Sequence, residues 1–98
     1  MGPCIVTADE FLAPPVLKIQ SRVNGEVRQH SSTDKLIYDI PHIITELSQG
    51  FTLKPGTIIA LGTPAGVGMG FDPPKWLKSG DKVECEIEKI GILSNVVK

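Results

Sequence analysis

Residues 16–30 read VLKIQSRVNGEVRQH, and this stretch decides the fold class. Polarity alternates from Val16 to Val23, which predicts a β-strand because successive side chains of a strand point to opposite faces. Asn24–Gly25 follows directly, and both residues tolerate the positive φ that a type I′ hairpin turn requires. Glu26–His30 is therefore predicted to return as the second strand of a hairpin. The mostly apolar face of the first strand carries Leu17, Ile19, Ser21 and Val23.

One helix is predicted downstream of this hairpin. Ser31–Asp34 is a polar loop whose side chains can cap a helix. Apolar residues then recur at helical spacing, and we expect the regular helix from near Ile40 to near Gln49. Pro41 suits its first turn, and Gly50 is placed for a left-handed residue just beyond its end. The predicted apolar face consists of Ile37, Ile40, Ile43, Ile44 and Leu47.

Two further strands are predicted from short apolar runs. Cys4–Val6 is the first, and Pro14–Pro15 blocks regular structure after it. Thr57–Leu61 is almost wholly apolar, as is typical of a strand buried on both faces, and the turn Thr52–Gly56 precedes it. Residues 62–74 follow with so many glycines and prolines that they predict a shaped loop rather than a regular element.

The last third of the chain predicts a second hairpin. Trp76–Leu77 is expected to pack back onto the body, and Lys78–Asp81 is expected to turn. Residues 83–88 alternate apolar side chains with glutamates, which predicts a strand with one face in water, and residues 90–97 return beside it. The chain is therefore predicted to be mainly β with one short helix, an α+β fold. Its ten glycines and eight prolines agree with many short elements joined by turns.

Composition excludes several classes of function. The 98 residues make one small domain or part of a larger one, because domains typically hold about 100–150 residues. Ten basic and eleven acidic residues give a net charge of −1, so we expect neither a nucleic acid nor a membrane as partner. No apolar run approaches the roughly 20 residues that span a bilayer, and we expect a cytoplasmic location. Cys4 and Cys85 are interpreted as two ordinary buried thiols rather than a disulfide or zinc ligands.

Two features of the sequence are candidates for chemistry. Glycines in residues 62–74 let the backbone approach an anion, but the loop matches no named phosphate motif, and both a structural turn and a ligand cradle stay open. Thr63 is the side chain near its start that can give and take hydrogen bonds. Glu84, Glu86 and Glu88 carry oxygen ligands of the kind a divalent cation prefers. Three carboxylates on one strand face are nevertheless more typical of a solvated surface.

Six short motifs, in this order along the chain, are more specific together than any of them alone. They are GPCIVTADE at Gly2–Glu10, VNGEVRQ at Val23–Gln29, IP at Ile40–Pro41, LKPG at Leu53–Gly56, GTPAGVG at Gly62–Gly68 and LKSGDKV at Leu77–Val83. Together they resemble the C-terminal part of the fumarylacetoacetate hydrolase family, and the resemblance covers essentially the whole chain.

The resemblance implies about half of a mixed β-roll, a homodimer, and a small-molecule substrate that carries an oxo-carboxylate. It implies a divalent cation, usually Mg²⁺ with Mn²⁺ or Ca²⁺ as alternatives, that polarises this substrate. Members of the family cleave carbon–carbon bonds in β-diketo acids, decarboxylate, or tautomerise. Gly62, Thr63 and Pro64 are the substrate-binding residues that it implies here, with Thr63 reaching the carboxylate. More loosely, the Asn24–Gln29 hairpin and the Ser31–Thr33 loop would lie near the site or the dimer contact.

The metal ligands of the family do not carry over to this chain. They are a Glu-x-Glu pair and an Asp, assisted by an Arg, a Gln and a Lys, and all lie upstream of the part that this chain resembles. Glu84–Glu86 matches the pair only in its letters. We therefore expect residues 1–98 to be the C-terminal portion of a catalytic domain, with no metal ligand or catalytic residue of its own and no activity alone. The alternative is a non-catalytic association module that pairs through exposed strand edges.

Overall fold

The computed structural model describes residues 1–11 and 15–98. These residues form one four-stranded antiparallel sheet and one α-helix, so the prediction of a mainly β fold with a short helix is confirmed. The elements are β1 (Lys18–Val23), β2 (Glu26–Ser32), helix α1 (Ile40–Gly50), β3 (Lys82–Ile87) and β4 (Gly91–Val96). Across the sheet the order is β2-β1-β3-β4, so two hairpins lie side by side with β1 against β3.

The hairpin of β1 and β2 forms as predicted, because its turn is encoded locally. Asn24 has a φ of 50° and Gly25 a φ of 82°, the left-handed conformations that a type I′ turn requires. Strand β2 is longer than predicted. Ser31 and Ser32 pair with Ile19 and Lys18 in β1, so these serines belong to the ladder rather than to a loop. The backbone partners that β1 offers outweigh the local hydrogen bonds that serine side chains favour.

Helix α1 begins where predicted, but its cap lies elsewhere. The side chain of Asp39 accepts a hydrogen bond from the backbone N–H of His42 at 2.8 Å, and Pro41 occupies the first turn. Ser31–Asp34 therefore does not cap this helix. Gly50 is its last helical residue and does not have a positive φ, because the cap residue Phe51 is extended and still donates its N–H to the Leu47 carbonyl.

Three predictions from apolar runs are wrong. Neither Cys4–Val6 nor Thr57–Leu61 is a strand, and neither segment pairs with a strand of the described sheet. Trp76 and Leu77 do not pack onto the body, since 64% and 53% of their surface is exposed. A run of apolar residues indicates burial but does not say which protein surface provides the cover.

The glutamate face of β3 is an ion-pair surface rather than a purely solvated one. Arg22 on β1 lies across from it, with Nη1 2.7 Å from Glu86 Oε2 and Nε 3.6 Å from Glu84 Oε2. Lys82 also contacts Glu84 at 2.9 Å. The Lys82 hydrogen bond, aided by Arg22, holds the pKa of Glu84 below its usual range. These carboxylates are therefore engaged with cations of the chain itself.

The buried core of the described residues is very small. Leu17 and Val23 are its buried hydrophobic residues, at 5% and 9% exposure, and both lie on the face predicted to be apolar. Cys4 and Cys85 are exposed, contrary to prediction; Cys85 lies on β3, whereas Cys4 lies outside the sheet. Among the described helices, none is long and apolar enough to cross a membrane. The predicted break at Pro14–Pro15 begins at Pro14, outside the described residues.

Candidate functional site

A cleft of about 610 Å³ lies between the sheet, the approach to helix α1 and the glycine-rich loop. Gly62, Thr63 and Pro64, the residues predicted from sequence, form one wall of it together with Leu61. The other walls come from the sheet and from the segment that leads into α1. They comprise Ile19, Ser31, Ser32 and Ile87 of the sheet, Thr33 and Lys35 just after β2, and Leu36, Ile37, Tyr38, Ile40 and Ile43 around the start of α1.

The cleft combines an apolar lining with a few polar groups, as small-molecule sites commonly do. About half of its lining residues are aliphatic, and its polar groups are the hydroxyls of Ser31, Ser32, Thr33 and Thr63, the Lys35 ammonium and the Tyr38 phenol. The Tyr38 ring stacks on the His42 ring with centroids 4.8 Å apart, which anchors the tyrosine to the first turn of α1. This arrangement suits a small ligand with an anionic end and a short carbon skeleton.

The side chain of Gln29 ties β2 to the predicted binding loop. Its Nε2 donates to Thr63 Oγ1 at 2.7 Å and to the Pro64 carbonyl at 2.8 Å. Its Oε1 accepts from Ser21 Oγ on β1 at 2.9 Å. Gln29 thus holds the loop against the sheet at the residue predicted to touch the ligand.

Gly66 allows the loop to approach the sheet at contact distance. Its φ is 106°, and a Cβ at this position would stand 1.9 Å from the Arg28 carbonyl oxygen. Gly68 is similar, because a Cβ there would stand 2.3 Å from the Lys75 carbonyl oxygen. Both glycines are therefore required by space rather than by flexibility alone.

A cation–aromatic cluster anchors the far end of the loop. The Phe71 ring lies 5.4 Å from the Arg28 guanidinium carbon and 4.7 Å from Lys75 Nζ, within the range of cation–π attraction. Lys75 also hydrogen bonds to Glu26 at 2.5 Å. This bond, with help from Arg28, holds the pKa of the Glu26 carboxyl below its usual range. Strand β2 thus contacts the loop through the side chains of Glu26, Arg28 and Gln29.

Sequence reasoning found part of this site and missed part of it. It placed Gly62, Thr63 and Pro64 in one loop and Ser31–Thr33 near it, and all of them line the cleft. It did not find the contact of Gln29 with Thr63, although Gln29 stands in the quoted VNGEVRQ motif. The two residues are 34 positions apart, and no local sequence pattern indicates that their side chains are in contact.

The described residues do not fit a metal site. Within 1–11 and 15–98, no three His, Cys, Asp or Glu side chains converge as ligands would. Glu84 and Glu86, the pair that resembles a metal motif in its letters, are held by Arg22 and Lys82 instead.

The sequence matches the family described as fumarylacetoacetate (FAA) hydrolase, C-terminal, over residues 1–98. The chain belongs to the fumarylacetoacetate hydrolase family. It is 52% identical over 97 residues to the oxaloacetate tautomerase YisK of Bacillus subtilis (strain 168), covering 99% of this chain and 32% of that protein. The members of this family that it resembles are isomerases, tautomerases and hydrolases.

Solved structures of the family have the same fold. The fumarylacetoacetate hydrolase of Exiguobacterium antarcticum superposes with a TM-score of 0.93 at 50% identity, covering 99% of this chain and 35% of that one. Maleylpyruvate hydrolase from Sphingobium sp. SYK-6, in complex with manganese(II) and pyruvate, has a TM-score of 0.85 at 40% identity, covering 98% and 34%. This chain therefore spans about a third of the length of the relatives that it matches.

Proposed function

We propose that the full-length protein carrying this sequence is a metal-dependent enzyme acting on small oxo-carboxylic acids, with keto–enol tautomerisation of oxaloacetate as its reaction. The observation that carries the proposal is the cleft in which Thr63, held by Gln29, faces an apolar wall. The identity of 52% with an oxaloacetate tautomerase supports the choice of reaction.

The part of the chemistry assigned to this chain is binding and orientation. Tautomerisation moves one proton between a carbon and the neighbouring oxo oxygen, so the carbon skeleton must be held in one position. The Thr63 hydroxyl would donate to the substrate carboxylate, while Gly62 and Pro64 shape the loop around it. The aliphatic wall would exclude water from the enol.

The metal and its ligands are assigned to protein outside residues 1–98. We propose Mg²⁺ as the cation, and the manganese and pyruvate bound by a relative that is 40% identical support a divalent cation beside an oxo-carboxylate. In this proposal residues 1–98 are the C-terminal, substrate-side portion of the catalytic domain and are inactive alone. A cytoplasmic location stays a prediction.

The direct test follows the decay of enol oxaloacetate by ultraviolet absorbance. Full-length protein with Mg²⁺ is expected to accelerate the decay well above the rate in buffer, and residues 1–98 alone are expected not to do so. A full-length protein that leaves the rate at the buffer value would contradict the proposed reaction.

Hydrolysis of a carbon–carbon bond is the second candidate. It is favoured by the likeness to maleylpyruvate hydrolase, whose structure contains pyruvate. In this case the enzyme would cleave an acylpyruvate, with water supplying the hydroxyl of the acid released. Pyruvate formation from an acylpyruvate, measured with a coupled dehydrogenase, separates this activity from tautomerisation.

We further propose that the protein is a homodimer. Many large apolar side chains of the described residues are exposed, and β2 and β4 are outer strands of the sheet. Such surfaces favour association with other protein. Light scattering of the full-length protein gives its mass directly, and the mass of a single chain at micromolar concentration would exclude a stable dimer.

A further inference from the structure

Gln29 makes three hydrogen bonds, and together they fix which of its amide atoms is which. The Pro64 carbonyl can only accept, so the atom 2.8 Å from it must be the amide nitrogen. The amide oxygen therefore faces Ser21, whose hydroxyl donates to it at 2.9 Å. The orientation of Gln29 follows from the partners themselves.

The same arrangement fixes the role of Thr63. Both protons of the Gln29 amide are used, one on the Pro64 carbonyl and one on Thr63 Oγ1 at 2.7 Å. Thr63 is thus an acceptor toward Gln29, and its single hydroxyl proton is left for another partner. Among the described residues the Thr63 hydroxyl donates to none, and Thr63 is exposed on the cleft wall.

Thr33, which also lines the cleft, has its hydroxyl proton engaged within the chain. Its hydroxyl donates to the Pro15 carbonyl and accepts from the Leu17 N–H, both at 2.9 Å. Thr33 therefore has no hydroxyl proton left to donate to a ligand. Of these two threonines in the cleft, Thr63 is the one with its donor proton free.

We propose that Gln29 is a positioning residue that sets the polarity of Thr63, so that the Thr63 hydroxyl always donates into the cleft. The chain of donors runs from Ser21 to Gln29 to Thr63 to the ligand. An acceptor such as a carboxylate oxygen completes this chain, because it takes the one hydroxyl proton that Gln29 leaves free on Thr63. This inference rests on the proposed function and adds the residue that directs the Thr63 proton toward the substrate carboxylate.

Gln29→Glu is the variant that tests the inference most sharply. A carboxylate at position 29 cannot donate, so Thr63 would turn its proton toward it and lose the ligand contact. We expect oxalate, titrated calorimetrically into full-length protein in Mg²⁺ buffer, to bind on the order of 10- to 100-fold more weakly. The control is Gln49→Glu, the same change at an exposed helical residue whose side chain makes no hydrogen bond within the described residues. It should bind oxalate as the wild type does.

A double-mutant cycle distinguishes positioning of Thr63 from a general structural role. Thr63→Val removes the hydroxyl, and in this background Gln29→Glu should cost no further affinity. If Gln29→Glu does not fold, Gln29→Met serves in the same cycle, since it also cannot donate.

The outcomes separate this inference from the proposed function. A wild-type protein that does not bind oxalate contradicts the proposed function. If the wild type binds oxalate and the Gln29 variants bind it equally well, the inference is overturned and the proposed function stands. The same holds if the Gln29 variants lose the same factor in affinity with and without the Thr63 hydroxyl.

Discussion

At the scale of single residues, two threonines of this chain differ because of their neighbours and not because of their own chemistry. Thr33 donates its hydroxyl proton to the Pro15 carbonyl and accepts from the Leu17 N–H. Thr63 accepts from Gln29 and keeps its proton. A sequence motif can indicate which threonine binds a ligand. The donors and acceptors around that threonine determine whether its hydroxyl proton is free to donate.

Gly66 is the residue at which the loop depends most on the absence of a side chain. Gly66→Ala would push a methyl group into the Arg28 carbonyl and place a side chain at a φ of 106°. We expect the free energy of unfolding of the full-length protein to fall by about 2–4 kcal/mol. Urea denaturation measures this loss.

Gly70→Ala is the matched control within the same loop. Its added Cβ would meet Val67 Cγ2 at 3.7 Å, an ordinary contact, and its φ is not positive. We expect a change within about 0.5 kcal/mol. Equal effects of the two alanines would show that the approach of Gly66 to Arg28 is not required.

At the scale of elements, the turn of the first hairpin also fastens it to the second. Asn24 donates from its side chain to Asp81 at 2.8 Å and accepts from the Lys82 N–H at 2.9 Å. These bonds join the β1–β2 turn to the start of β3. One asparagine thus serves a left-handed turn and a contact 57 residues away.

Replacing Asn24 separates these two roles. Asn24→Gly keeps the left-handed turn and loses the side-chain bonds, whereas Asn24→Ala loses both. We expect Asn24→Ala to be the less stable by about 1–2 kcal/mol in chemical denaturation, because alanine disfavours a φ of 50°. Equal stabilities would mean that the turn conformation does not depend on residue 24.

The Glu26–Lys75 contact between β2 and the loop is expected to weaken in acid. The Lys75 hydrogen bond lowers the pKa of Glu26 in the folded protein. A carboxyl whose pKa is lowered on folding stabilises the folded state while it is ionised. This stabilisation is fully present above the unfolded pKa of about 4.3, and it is lost as the pH falls through the lower pKa of the folded protein. The urea midpoint should therefore fall more between pH 6 and pH 3 for wild type than for Glu26→Gln. An equal fall for both proteins would contradict this role of the Glu26–Lys75 pair.

Local elements of the fold could be predicted from sequence, and long-range pairings could not. The turns at Asn24–Gly25 and Lys78–Asp81 follow from the φ preferences of two or three residues, and both occur as expected. Thr57–Leu61 has the composition of a strand, but composition does not supply a neighbouring strand to pair with. The Gln29–Thr63 contact could not be predicted for the same reason, since it depends on how β2 packs against the glycine-rich loop.

At the scale of the whole molecule, the described chain exposes far more surface than a self-contained domain. Its accessible surface is 7698 Å², against roughly 5,500 Å² for a compact monomer of 10.6 kDa. Its radius of gyration is 15.4 Å, against about 12.6 Å for a compact domain of this length. Exposed side chains such as Ile37 at 93% and Ile58 at 68% show that much of this excess is apolar.

Residues 1–98 alone are therefore expected to associate or to bind apolar dyes. Light scattering should give a mass above 10.6 kDa, and an anilinonaphthalene dye should fluoresce more strongly with this chain than with the full-length protein. The physical reason is that apolar surface left in water favours contact with any other apolar surface. A stable monomer without dye binding would contradict the view that other protein covers these faces.

The most direct test of the account is whether the Thr63 hydroxyl binds the carboxylate of an oxo-acid. Oxalate would be titrated calorimetrically into full-length wild type, Thr63→Val and Thr63→Ser in the presence of Mg²⁺. The account predicts saturable binding by wild type, a loss of about 10- to 100-fold for valine, and near-normal affinity for serine, because serine keeps the donor. Equal affinity of wild type and Thr63→Val would contradict the central claim.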